Sequence, residues 1–140
     1  MWFKMNFVEA VKSAYANYAN FSGRAQRSAY WWWALFNAVV AVVIALLEGG
    51  GSYSAGDGSM QFAVVGGLFS IIWMLINLLP GVALAVRRLH DVDKSGWWLF
   101  IALIPLVGAI ILLVWFCTRG TVGSNRFGAD PLHGADVSVF

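Results

Sequence analysis

Between residues 87 and 98 the chain reads RRLHDVDKSGWW, which gathers two arginines, a histidine, two aspartates, a lysine and a serine between long apolar runs. Residues of these types could do several kinds of chemistry. Arg87 and Arg88 could hold phosphate, His90 oriented by Asp91 could act as a general base, and Ser95 could be a nucleophile. Hydrolysis finds little support, because nothing like a nucleophile elbow surrounds Ser95 and no oxyanion donors are marked out. His90, Asp91 and Asp93 are metal-ligand types, yet three ligands crowded into four positions cannot all converge from a regular helix or strand. The reading is therefore no catalytic residue, no metal site and no cofactor. A structural role is stronger: the arginines meet lipid headgroups, the aspartates accept from arginines or turn amides, and Gly96 with Trp97 starts the next helix.

The elements around this stretch explain that preference. Of 140 residues, 60% are apolar and 11% charged, far from the soluble average. The charges leave three uncharged windows, 28–47, 58–86 and 95–118, each at or above the ~20 residues of a spanning helix. Runs such as AVVAVVIALL and IALIPLVGAIILLVWF show no polar stripe at helical spacing, as a soluble core helix would. The expected fold is an all-α membrane protein: an N-terminal amphipathic interfacial helix followed by three transmembrane helices. Residues 1–29 form a cytoplasmic amphipathic segment, 30–117 the membrane domain with spans at about 30–47, 62–86 and 97–117, and 118–140 a glycine-rich tail. In residues 6–21, Phe7, Val8, Val11, Tyr15, Tyr18 and Phe21 lie near one helical face, and that face could meet either lipid or the membrane domain itself.

Orientation follows from the basic residues. With three crossings, Lys4, Lys12, Arg24, Arg27, Arg87, Arg88 and Lys94 share a side, against Arg119 and Arg126 on the other, which places the N-terminus in the cytoplasm. The glycine-rich loop at 48–59 and the tail then lie outside. One alternative makes IPLVG, at 104–108, the tip of a re-entrant hairpin that returns the tail to the cytoplasm. Against it, residues 97–117 make only ~32 Å of helix, so neither arm of a hairpin could cross; a single proline-kinked span is preferred.

Function classes narrow accordingly. A formal charge of +2 and basic residues beside apolar windows do not suggest nucleic acid. Cys117 stands alone, so no intramolecular disulfide can form. Within the spans the clearly polar side chains are Asn37, Ser70 and Asn77, with no ionisable group of the kind proton relays need. The expected function is non-catalytic: a cytoplasmic rim of Arg24, Arg27, Arg87, Arg88, His90 and Asp91 that binds anionic membrane lipid or a partner protein. The alternative is a subunit of an oligomeric pore or transporter, which calls for a homo-oligomer or a membrane-protein partner.

Three motifs then carry a resemblance: FSGRAQRSAYWW at 21–32, RRLHDVDKSGWW followed by IPLVG, and GTVGSNRFGADP at 120–131. In order and spacing the chain resembles the bacterial inner-membrane family called domain of unknown function 805, the YhaH-like membrane proteins. The resemblance implies a small multi-pass protein of the bacterial inner membrane with no established activity, substrate or cofactor. It carries over Gly23, Arg24, Arg27, Tyr30 and Trp31, then Arg88, His90, Asp91, Gly96 and Trp97. In the tail it carries over the loop positions Gly120, Asn125, Arg126, Gly128, Asp130 and Pro131.

Overall fold

Asn6 starts the first helix, α1 (Phe7–Ala16), by a reciprocal cap: its side chain accepts from Glu9 N at 2.9 Å while Glu9 Oε2 accepts from Asn6 N at 3.2 Å. The computed structural model describes residues 5–48 and 67–132, so the expected glycine-rich loop and the start of the second span lie outside the described residues. Helix α1 ends at Ala16, where Asn17 Nδ2 donates back to Ser13 O at 2.8 Å. Ala10 and Ala14 are buried, and these small side chains let α1 lie close against its neighbours. Its aromatic residues meet protein: Phe7 is edge-on to Trp32 at 5.9 Å, and Tyr15 is edge-on to Trp33 at 5.1 Å. Tyr15 donates to Asn77 Oδ1 at 2.8 Å and Tyr18 to Ile76 O at 2.7 Å.

Two long helices follow, α2 (Arg27–Leu47) and α3 (Leu68–Asp91), of 21 and 24 residues. At 1.5 Å per residue each exceeds the ~30 Å hydrocarbon thickness. Their outward surfaces are apolar, with Leu35, Val39 and Val42 exposed on α2 and Leu68, Phe69 and Leu75 on α3. A water-facing helix would show charge there. At the far end Glu48 caps α3, accepting from Phe69 N at 2.6 Å and from the Ser70 hydroxyl. A carboxylate suits the positive end of that helix.

Helix α3 does not stop at residue 86, where the expected span ends, but continues through the RRLHD stretch to Asp91. Its end is a left-handed cap: Asp93 has φ 59°, Lys94 N donates to Leu89 O at 2.9 Å and Asp93 N to His90 O at 3.0 Å. Five residues of the stretch expected to be a connecting loop, Arg87 to Asp91, are thus helical, with Arg88 and His90 at the negative end of the helix.

The single helix expected over 97–117 is corrected by the structure. Residues Gly96–Leu103 form a 3-10 helix, the chain reverses at 104–106, and α4 (Val107–Cys117) runs back. Pro105 has no N–H to continue a helix. Leu106 sits at φ 67°, ψ −60°, with Val107 N donating to Pro105 O at 2.8 Å, a tight γ-turn of the rare left-handed form. Gly108 lets the arms touch, since a Cβ there would fall 1.7 Å from Ile101 O. The arms are further joined by Trp98 edge-on to Trp115 at 5.6 Å. Each arm is about 16 Å long, half a bilayer, at 2.0 or 1.5 Å per residue. Leu112 and Phe116 of α4 pack with Ala85 and Leu89 of α3, which brings the tail back to the RRLHD end.

Candidate functional site at the buried arginine cluster

The reversal places the tail beside Asp91, and a cluster of ionised side chains closes there. Arg24 Nη2 lies 2.9 Å from Asp91 Oδ1, and Arg88 Nη1 lies 2.9 Å from Asp91 Oδ2. The side chains of Arg24 and Arg88 are fully buried and that of Asp91 is 4% exposed. Charges taken this far from water need their remaining hydrogen-bonding positions filled, and main-chain carbonyls fill them. Arg24 Nη1 donates to Gly123 O at 2.6 Å and Nη2 to Thr121 O. Arg88 donates to Phe116 O at 3.2 Å, to Trp115 O at 3.2 Å and to Thr118 O.

Those last acceptors are the free carbonyls at the end of α4, which carry about half a negative charge as a group. Arg27 Nη1 donates to Cys117 O at 3.1 Å and Trp31 Nε1 to Phe116 O at 3.3 Å, so α2 and α3 together cap α4. The surplus positive charge of two guanidiniums around one carboxylate is opposed by this helix end.

The tail is a folded loop on the same centre. Thr121 N donates to Asp91 O at 2.7 Å, and Asn125 Nδ2 donates to His90 O at 2.9 Å. A Cβ at Gly120 would fall 2.0 Å from Asp91 Oδ2, so only glycine fits against the carboxylate. Asn125 and Gly128 exchange backbone hydrogen bonds at 3.0 and 3.1 Å, with Gly128 at φ 135°. Asp130 accepts from Gly123 N at 3.0 Å and Leu132 N at 2.9 Å. Pro131 is exposed. Arg126 pairs with Asp93 at 3.2 Å in the open, with both side chains more than half exposed.

His90 Nδ1 lies 2.9 Å from Gly23 O, and its ring stacks on Phe127 at 4.0 Å and 3°. Arg87 takes the other route: its main-chain oxygen accepts from Ala25 N at 3.0 Å, while its side chain is buried with Nε and Nη2 lacking a hydrogen-bond partner among the described residues.

The structure therefore brings Arg24, Arg27, Arg88, Asp91, Gly120 and Asn125 together, but not as the expected headgroup-facing rim. That expectation is corrected for Arg24, Arg88 and Asp91: they are interior, with the donors of the two guanidiniums and the acceptor oxygens of the carboxylate spent on protein. Sequence reasoning also missed the carbonyls of Trp115, Phe116, Thr118 and Thr121 and the ring of Phe127. A carbonyl has no residue-type signature; the one available signal was the glycine-rich spacing of the tail. The arrangement ties the 17–26 segment, the end of α3, the end of α4 and the tail into one node.

Comparison with known proteins agrees with this picture of a membrane-embedded unit. Residues 18–129 match the family described as protein of unknown function (DUF805), a range holding every member of the node. Inner membrane protein YhaI of Escherichia coli K12 is 41% identical over 124 residues, covering 89% of this chain and 96% of that protein. Inner membrane protein YhaH of the same strain is 39% identical over 115 residues, covering 82% and 89%. No solved structure matches. With the node and the two long apolar helices inside the matched range, the chain belongs to the bacterial inner-membrane family described as protein of unknown function (DUF805).

Proposed function

We propose that this protein is a non-catalytic, multi-pass inner-membrane protein that holds an anionic lipid headgroup at the cytoplasmic face through Arg87. The observation that carries the reading is the state of that side chain: Arg87 is 6% exposed, and its Nε and Nη2 have no partner among the described residues. An uncompensated buried guanidinium costs several kcal/mol. At a membrane boundary a lipid phosphate is the nearest anionic acceptor and matches the guanidinium fork, which the Arg87 side chain presents by swinging out of its buried position.

In this reading α2 and α3 are the two crossings and the hairpin from Gly96 to Cys117 enters and leaves from the cytoplasmic side. All nine lysines and arginines are then cytoplasmic, while the stretch 49–66 between the crossings has none. This distribution is more one-sided than three crossings allow.

The test is lipid retained by the full-length protein after purification in mild detergent. Arg87→Gln is expected to lower retained phosphatidylglycerol several-fold with the helical content unchanged. Equal retention by the variant and the wild type would overturn the reading.

A further inference from the structure

A cavity of about 670 Å³ runs between α3 and the 3-10 arm of the hairpin, within the range of small-ligand sites. Val82, Val86 and His90 line it from one face of α3, and Phe100 and Leu103 from the hairpin. From His90 to Val82 it follows eight residues of helix, about 12 Å, from the polar end of α3 toward its apolar middle. Among the described residues no lysine, arginine, aspartate or glutamate lines it.

Two polar groups stand at its RRLHD end. The carbonyl of Gly23 can only accept, so Nδ1 of His90, 2.9 Å away, carries a proton, and whenever the ring is neutral Nε2 is an acceptor. His90 is 9% exposed, and no hydrogen bond to Nε2 is made by the described residues. The stacking on Phe127 at 4.0 Å fixes the plane of the ring. Ser95 Oγ accepts a long bond from Trp97 N at 3.4 Å, which leaves its O–H to donate. The groove thus offers an acceptor and a donor at one end and an uncharged apolar trough beyond.

We infer that this groove binds one chain of an uncharged glyceride, a diacylglycerol, whose hydroxyl donates to His90 Nε2 and whose ester carbonyl accepts from Ser95 Oγ. A phospholipid is disfavoured in the trough because none of its lining residues is a cation that would pair with the phosphate. The site is separate from Arg87, and the two readings share only the placement of α3 across the bilayer.

Native mass spectrometry of the full-length protein released from micelles tests this, with dioleoylglycerol, its methyl ether and dioleoylphosphatidylglycerol as probes. One dioleoylglycerol per chain is expected. Ala102→Trp, which puts an indole into the trough from an exposed position, is expected to weaken it at least about tenfold. The methyl ether, which cannot donate, is expected to bind about five- to tenfold more weakly, the worth of one hydrogen bond. Arg87→Gln is expected to leave dioleoylglycerol binding unchanged, so either reading can fail without the other. Absence of the adduct, equal binding by Ala102→Trp, or equal binding of the methyl ether or the phosphatidylglycerol would overturn the inference.

Discussion

Arg24 and Arg88 share a single carboxylate: Arg24 Nη2 is 2.9 Å from Asp91 Oδ1 and Arg88 Nη1 is 2.9 Å from Oδ2. One arginine comes from the segment before α2 and the other from the last turns of α3, so the shared acid joins parts of the chain 67 residues apart. Asp91→Asn removes the charge and turns an amide N–H₂ toward a guanidinium. Because breaking a buried ion pair from one side strands the partners, a loss of about 3–5 kcal/mol is expected in denaturant unfolding of the micellar protein. Asp93→Asn, which touches the exposed pair with Arg126, is expected to cost less than about 1 kcal/mol. Similar losses for the two variants would contradict the assignment of the node.

Gly120 is held against the same carboxylate. Gly120→Ala places a methyl 2.0 Å from Asp91 Oδ2, where neither group can move without breaking an ion pair, so about 1–3 kcal/mol should be lost. At Gly123 nothing lies within 4 Å of a new Cβ, but φ is 78°, and Gly123→Ala should lose only about 1–2 kcal/mol of left-handed strain. Thermal unfolding of the pair beside wild type checks the contrast.

The hairpin makes a topological claim. With Cys117 replaced by alanine, a cysteine at Ser124 is expected to be shielded from a membrane-impermeant thiol reagent in intact cells and to react after permeabilisation. A cysteine at Ser54 is expected to react in both. Labelling at position 124 in intact cells would restore a third crossing.

Glu48 gives a pH-dependent contribution at the other end of the molecule. The Ser70 hydroxyl first, and the Phe69 and Ser70 amides with it, hold its carboxyl below the ordinary carboxylate range. A folded-state value lowered in this way adds stability that is fully present above the unfolded value and is lost as pH falls through the folded one. The wild-type melting temperature should therefore drop more steeply than that of Glu48→Gln as the pH is taken from about 5 to 3. Parallel curves would show that Glu48 does not cap α3 in solution.

Much of the fold is legible along the chain because it is local. An apolar window of about 20 residues is a property of consecutive side chains, so the long apolar helices α2 and α3 can be read directly, and so can the capping pattern of Asn6 and Glu9. The reversal at 104–106 is marked by Pro105 and Gly108, yet the same two residues also suit a kinked span. What separates the readings is the fate of the carbonyls at the end of α4, and their partners are Arg27 and Arg88, about 90 and 30 residues away.

The site shows the same division. Residue types and motif spacing point to Arg24, Arg88, His90, Asp91 and the glycine-rich tail as positions that matter, because charge beside an apolar run has to be accounted for. Whether a given arginine faces lipid or an internal acid depends on which segments pack together, and that is settled by distant contacts. Arg87 and Arg88 are adjacent and chemically identical; the 100° turn between them on α3 sends one guanidinium into a filled node and leaves Nε and Nη2 of the other without a hydrogen-bond partner among the described residues. By itself the sequence determined a basic, membrane-embedded helical chain. Only the tertiary structure decided which cations hold the chain together, because charges are paired in space and not along the sequence.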